Sequence, residues 1–62
     1  MSVCITSKAV ELYNENGDLV LWEEHHATSR KSAAFYLRTV CDVYGINDPT
    51  VNAQILSIIR GE

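Results

Sequence analysis

The chain has little of what small proteins use to reinforce a thin core. Its 62 residues include two cysteines, three glycines and one proline. Two cysteines cannot form the dense disulfide framework of small secreted domains. A chain of this length buries only about 60% of the surface that its unfolded form exposes. We therefore expect a thin core and a second chain as the most natural further source of stability.

Long hydrophobic runs are also absent. The longest uninterrupted apolar stretch covers residues 19–22, whereas a helix that crosses a bilayer needs about 20 apolar residues. The N-terminal residues lack the basic region and apolar run of a signal peptide. The sequence therefore predicts a cytoplasmic protein with no membrane partner. There, Cys4 and Cys41 are expected to be buried thiols, although an oxidising compartment would allow a bridge between them.

Positive charge is scarce as well. Five Lys and Arg residues stand against eight Asp and Glu residues, which gives a net charge of −3. Nucleic-acid binders usually carry a basic surplus, because neutralised phosphates supply much of their affinity. The charge is also uneven, since residues 9–27 contain five acids and no Lys or Arg. A nucleic-acid partner is therefore disfavoured, and the acidic segment is the conspicuous electrostatic feature.

Asn16 and Gly17 predict a β-hairpin over residues 8–24. A two-residue type I′ turn needs positive φ at both central positions, which Asn-Gly tolerates. With that turn, Glu11 lies opposite Trp22. Residues 3–6 form either a short third strand or an extension of the first. Both predicted faces of the hairpin are largely apolar, one with Val10, Leu12, Leu19 and Leu21 and the other with Tyr13, Val20 and Trp22.

Two helices are predicted after the hairpin. Thr28 or Ser29 is the predicted N-cap of a helix over residues 29–44, and Gly45 is the residue predicted to end it. Asp48 as N-cap and Pro49 as first helical residue begin a second helix, which runs to residue 60. The apolar stripe predicted to be buried on the first helix consists of Ala33, Ala34, Leu37, Cys41 and Tyr44.

These elements predict one small α+β domain over residues 1–62, with a β-hairpin followed by two helices. The hairpin has two apolar faces and the first helix is apolar on several sides. A two-stranded ribbon and two helices cannot easily cover so much apolar surface. We therefore expect a homodimer, or a protein whose second face docks on a different partner.

Residues 23–26, Glu-Glu-His-His, form the one cluster with metal-ligand or acid–base side chains. Neighbouring strand residues point to opposite faces, so at most two ligands converge, whereas zinc takes three or four. The chain also has no nucleophile elbow and is short for enclosing a substrate pocket. The sequence predicts no enzyme, no catalytic residues, no metal and no cofactor. A pH-sensitive contact of His25 or His26 with a carboxylate stays open.

Arg30 and Lys31 fall in the first turn of the predicted helix, where cations oppose the helix dipole. Two explanations stay open at this point. Either Glu23 and Glu24 neutralise them across a short loop, or they form an anion site together with the free N–H groups of the helix.

The acidic hairpin is the segment best suited to bind a partner. Trp and Tyr are enriched at interface hot spots, and carboxylates on a ribbon complement a basic groove. The sequence predicts a protein-binding accessory, adaptor or inhibitor protein, a class that includes proteins encoded by phages and mobile elements. The predicted partner-binding residues are Glu11, Tyr13, Trp22, Glu23 and Glu24.

A DNA-binding regulator is the alternative. Cys41, Gly45 and Val51 fit the spacing of a helix-turn-helix, with the second predicted helix as recognition helix. Asn and Gln side chains read adenine in the major groove, but one arginine releases few counterions. The candidate DNA contacts are Thr50, Asn52, Gln54 and Arg60.

Overall fold

The computed structural model describes all residues from 1 to 62. Three strands precede two helices, which confirms the predicted α+β class and shows that the N-terminal residues form a separate third strand. The strands make one antiparallel sheet in the order β1-β2-β3. The elements are β1 (Ser2–Ile5), β2 (Ala9–Tyr13), β3 (Leu19–Glu24), α1 (Arg30–Tyr44) and α2 (Pro49–Ile59).

The core lies between one face of the sheet and the two helices. Val10 and Leu12 are fully buried there, because β2 is the central strand and alternate residues point to the same face. We call this the inner face and the opposite one the outer face. The core residues are Val10, Leu12, Ala33, Ala34, Leu37, Cys41, Val51 and Ile55.

Local hydrogen bonds set the helix boundaries. Ser29 is the N-cap of α1, and its Oγ accepts from the N–H of Ser32 at 3.1 Å. Gly45 ends α1 in the left-handed conformation with φ of 71°. Asp48 caps α2 by accepting from the backbone N–H groups of its first turn. The cap residues predicted from the sequence therefore take those roles, and α2 ends one residue before the predicted position.

The turn between β2 and β3 differs from the predicted type I′ turn. Only glycines have positive φ in this chain, so Asn16 does not adopt the conformation that a type I′ turn requires. Instead, Gly17 N–H donates to the Asn14 carbonyl at 3.0 Å, and Asn14 N–H donates to the Asp18 carbonyl at 3.0 Å. This arrangement is a three-residue loop in which a left-handed glycine follows a type I turn.

A β-bulge in β3 compensates for the longer loop. Leu12 lies opposite Leu21, whereas Tyr13 lies opposite Leu19, so Val20 has no opposite residue on β2. The extra residue on β3 offsets the extra loop residue. The register beyond the bulge is therefore the one that a two-residue turn predicts.

Because of the bulge, the predicted pairing of Glu11 is confirmed and the predicted face of Leu19 is not. Glu11 lies opposite Trp22 as predicted. The prediction that Leu19 lies on the inner face was wrong, because opposite residues share a face and Leu19 pairs with Tyr13. Leu19 is accordingly 52% exposed.

Candidate functional site

The outer face of the sheet brings together three of the predicted partner-binding residues. Cys4, Glu11 and Trp22 lie opposite one another across the three strands and form a row. Tyr13 is two residues from Glu11 on β2 and points to the same face. Trp22 is 50% exposed. The row therefore presents an aromatic ring and a carboxylate side by side on a regular scaffold.

Tyr13 orients the carboxylate of Glu11. The phenolic O–H of Tyr13 donates to Glu11 Oε1 at 2.9 Å. This hydrogen bond, together with desolvation and the negative charge of Glu11, raises the pKa of Tyr13. Tyr13 therefore remains a neutral donor at neutral pH, and the carboxylate is held against the sheet beside Trp22.

The two glutamates at the end of β3 point in opposite directions. Glu24 is exposed and, two residues after Trp22, lies on the outer face, with its Oε1 3.8 Å from His26 Nε2. Glu23 lies on the inner face, where its Oε1 accepts from the O–H of Tyr44 at 2.7 Å. That bond raises the pKa of Tyr44. Glu23 is therefore separated from the other predicted partner-binding residues.

No Lys or Arg forms an ion pair with a carboxylate in this chain. The two ion pairs join the Met1 amino group to Glu15 and His26 to Glu24. Glu23 and Glu24 therefore form no ion pair with Arg30 or Lys31 at the start of α1. The outer face keeps an uncompensated negative charge.

His25 has a structural environment rather than a carboxylate partner. It is 7% exposed, its Nδ1 accepts from Ala27 N–H at 3.1 Å, and its Nε2 lies 2.8 Å from the Thr6 carbonyl. Because Nδ1 is an acceptor, the ring proton lies on Nε2 and is donated to Thr6. The ring joins the β1–β2 turn to the loop before α1.

A groove of about 370 Å³ opens beside His25. Both nitrogens of His25 are already bonded, so neither is free for a ligand in the groove. No group of three or more His, Cys, Asp and Glu side chains is arranged to hold a metal ion. Neither helix has the length and apolar character needed to span a membrane. The groove is lined by Ile5, Thr6, Ser7, His25, Ala27, Thr28, Ser29, Arg30 and Ala33.

Comparisons with known proteins gave no match. This holds for family models, for curated proteins and for solved structures.

The cysteines lie on different sides of the sheet. Cys41 is buried in the core, and burial raises the pKa of its thiol. Cys4 is exposed in the outer-face row beside Glu11, so the prediction that both thiols are buried was wrong for Cys4. The reason is strand alternation: the side chains of Val3 and Ile5 point to the inner face, so the side chain of Cys4 between them points to the outer face.

Three of the four candidate DNA contacts are bonded within the fold: Gln54 and Thr50 to more than one group, and Asn52 to the Asn47 side chain at 3.2 Å. Gln54 accepts from Val3 N–H at 2.8 Å and donates to the Met1 carbonyl at 3.2 Å. Thr50 Oγ1 bonds to Asp48 and to the same Met1 carbonyl. Asn52 and the remaining candidate, Arg60, are both exposed.

The outer face also contains a residue that the sequence did not predict for it. Leu19 is exposed beside Tyr13, next to the hairpin turn. A β-bulge has no signature in this sequence, so alternation counted from the turn placed Leu19 on the wrong face. The site that results consists of Glu11, Tyr13, Leu19, Trp22 and Glu24, and we call it the outer-face site.

Proposed function

We propose that the chain binds another protein through the outer-face site, as a small acidic accessory, adaptor or inhibitor protein. The observation that supports this most is the position of Trp22, which is half-exposed directly opposite Glu11. An aromatic ring on a strand loses little conformational freedom on binding, and Trp is enriched among the residues that dominate interface energies.

The charge of the outer-face site supports a basic partner. Glu11 and Glu24 have no Lys or Arg partner, so both are available to an incoming cation. Tyr13 holds Glu11 in one orientation, which reduces the entropy that binding would otherwise cost. A basic groove that accepts Trp22 at its centre and carboxylates at its rim fits this arrangement.

We further propose that the chain is a homodimer in the cytoplasm. Several large apolar side chains outside the outer-face site are exposed, including Tyr36, Val43 and Tyr44. An exposed free thiol at Cys4 fits a reducing compartment. An origin in a phage or a mobile element stays a prediction.

The DNA-binding alternative has less support. A recognition helix needs free polar side chains toward the bases, whereas both amide atoms of Gln54 are bonded to the N-terminal segment. Arg60 is the one basic residue of that segment and offers little counterion release.

An affinity experiment with matched variants tests the proposal. The tagged chain is used to capture proteins from its host, and the captured protein is then purified and titrated against each variant. We expect binding to the unmodified chain and to Leu56→Ala, which removes an exposed apolar side chain on α2. Glu11→Lys and Trp22→Ala should each weaken binding at least tenfold, with unchanged circular dichroism. Undiminished binding by both variants would exclude the outer-face site.

A further inference from the structure

The two edges of the sheet are different. At the β1 edge, the N–H of Val3 points away from β2, and Gln54 Oε1 accepts from it at 2.8 Å. Gln54 Nε2 also donates to the Met1 carbonyl at 3.2 Å. The side-chain amide thus bonds two backbone groups that an additional strand would need. The β1 edge is closed by α2.

The β3 edge is open. His25 N–H donates to the Lys8 carbonyl at 2.8 Å, which sets the alternation of bonded pairs along β2 and β3. In that alternation the backbone groups of Trp22 and Glu24 point away from β2. No side chain bonds to them, in contrast to the β1 edge. An unpaired strand edge of this kind is a template for another strand.

The side of α1 that faces away from α2 exposes apolar side chains. Tyr36 and Val43 are seven residues apart, so they lie on one side of α1, and Val43 is 75% exposed. Tyr44, 58% exposed, lies about 100° further round the helix and bonds to Glu23 of β3. The other side of α1 faces α2, where Arg38 lies beside Leu56. We call Tyr36, Val43 and Tyr44 the flank; all three are exposed, and the Tyr44–Glu23 bond connects its C-terminal end to β3.

We propose that a second copy of this chain pairs its β3 with this β3, antiparallel, about a two-fold axis. The two sheets join into one of six strands, and the two flanks of α1 pack beside the junction. The inference rests on the homodimer part of the proposed function and specifies its interface. Only one edge of each copy is open, because Gln54 closes the other. Pairing therefore stops at a closed dimer instead of continuing into a fibre.

The charges select the register. With Trp22 opposite Trp22 of the second copy, the outward backbone groups of the two strands face each other, and Glu23 lies opposite Leu21. Pairing centred on Glu23 would place two carboxylates directly opposite each other, which is unfavourable. The axis through Trp22 therefore avoids like-charge pairs despite the acidic strand.

The exposed area is compatible with a small but specific dimer. The exposed parts of Tyr36, Val43 and Tyr44 together amount to about 300 Å² per copy, given typical side-chain areas, and leave Trp22 to the outer-face site. The strand edge adds backbone area. The total lies below the ~600 Å² per partner of the smallest standard interfaces, as is typical of weak dimers that form at micromolar concentration.

Sedimentation equilibrium with four proteins tests this interface. At tens of micromolar, the unmodified chain should have about twice the 6.9 kDa monomer mass. Glu24→Pro removes an outward N–H, and Val43→Lys puts charge into the flank. Each should raise the dimer dissociation constant at least tenfold. Leu56→Lys, the same type of change on exposed α2 surface, should leave the dimer unchanged, and circular dichroism should show that all four fold.

Hydrogen exchange gives a second measurement at residue level. The amide protons of Trp22 and Glu24 should be protected in the dimer and should exchange at least tenfold faster in Val43→Lys. A monomer mass for the unmodified chain, a dimer retained by either interface variant, or fast exchange at Trp22 in a dimer would each overturn the interface.

The dimer and the outer-face function can fail separately. Val43 lies outside the outer-face site, so monomeric Val43→Lys should still bind the partner that the unmodified chain captures. Glu11→Lys should lose that partner and keep the dimer mass. If the interface variants keep the dimer mass while partner binding persists, only the β3 inference is refuted. A monomer mass for the unmodified chain would refute the homodimer as well.

Discussion

The amide of Gln54 takes the place of a neighbouring strand beside Val3. The Val3 N–H donates to Gln54 Oε1 at 2.8 Å across a separation of 51 residues in the chain. The same side chain donates to the Met1 carbonyl, so one residue of α2 satisfies both a donor and an acceptor at the β1 edge. This contact joins α2 to β1 and occupies two backbone groups that an additional strand would need.

Replacing Gln54 with Met should destabilise the fold by about 1–3 kcal/mol, because the partly buried Val3 N–H loses its acceptor while the side-chain volume is kept. Urea unfolding measures the change. Asn52→Met is the control, since Asn52 is exposed on the same helix and bonds only to Asn47. Equal stabilities of the two variants would show that the Gln54 contact contributes nothing.

Gly17 and Asn16 should respond differently to substitution by alanine. Gly17 has φ of 81°, and nothing lies near an added Cβ, so Gly17→Ala should cost about 1–2 kcal/mol through backbone conformation alone. Asn16 has negative φ, so Asn16→Ala should change the free energy of unfolding by less than about 0.5 kcal/mol. A type I′ turn would make both substitutions costly. Thermal unfolding of both variants distinguishes the two turns.

Asp48 should make stability dependent on pH in the acid range. Hydrogen bonds from the Thr50 hydroxyl and from the Val51 and Thr50 N–H groups lower the pKa of Asp48 below its usual value of about 3.9. Because the folded pKa is the lower one, the stabilisation is complete above the unfolded pKa and is lost as pH falls through the folded pKa.

Asp48→Asn isolates this effect, since Asn is an equally good N-cap and does not titrate. The difference in melting temperature between the unmodified chain and Asp48→Asn should be constant from pH 5 to 7 and should shift in favour of the variant below about pH 4. A difference that is constant down to pH 2 would contradict the role assigned to Asp48.

The two thiols should react at different rates. A disulfide reagent should label Cys4 in the folded chain, because that thiol is exposed on the outer face. Cys41 should react only after unfolding, since burial excludes the reagent and raises the pKa of the thiol. Counting labelled thiols by mass spectrometry in buffer and in denaturant checks this. Cys4→Ser should remove the fast reaction, and fast labelling of that variant would contradict the burial of Cys41.

Helix boundaries were predictable because their causes are local. Ser29 and Asp48 bond to N–H groups two or three residues away, and Gly45 adopts a conformation that costs other residues more. Every atom in these caps comes from a short stretch of chain. The caps therefore form in the same way whatever the rest of the fold is.

The hairpin was partly predictable. Its existence and the pairing of Glu11 with Trp22 followed from Asn-Gly and strand alternation, and both are present. The loop is one residue longer than predicted, and the bulge at Val20 adds one residue to β3. Their effects on the β2–β3 register therefore cancel from Leu21 onward. The failed prediction for Leu19 lies between them, where the two effects have not yet cancelled.

The sequence alone was enough to establish the class of fold, the caps and most of the β2–β3 register, because these depend on neighbours in the chain. Only tertiary packing decided which groups the ends of long side chains contact. Tyr44 has the spacing of a core residue but lies exposed against Glu23, and Gln54 has the position of a DNA contact but closes the edge of β1. Their partners are 21 and 51 residues away, and no local pattern encodes which strand comes to lie beside which helix.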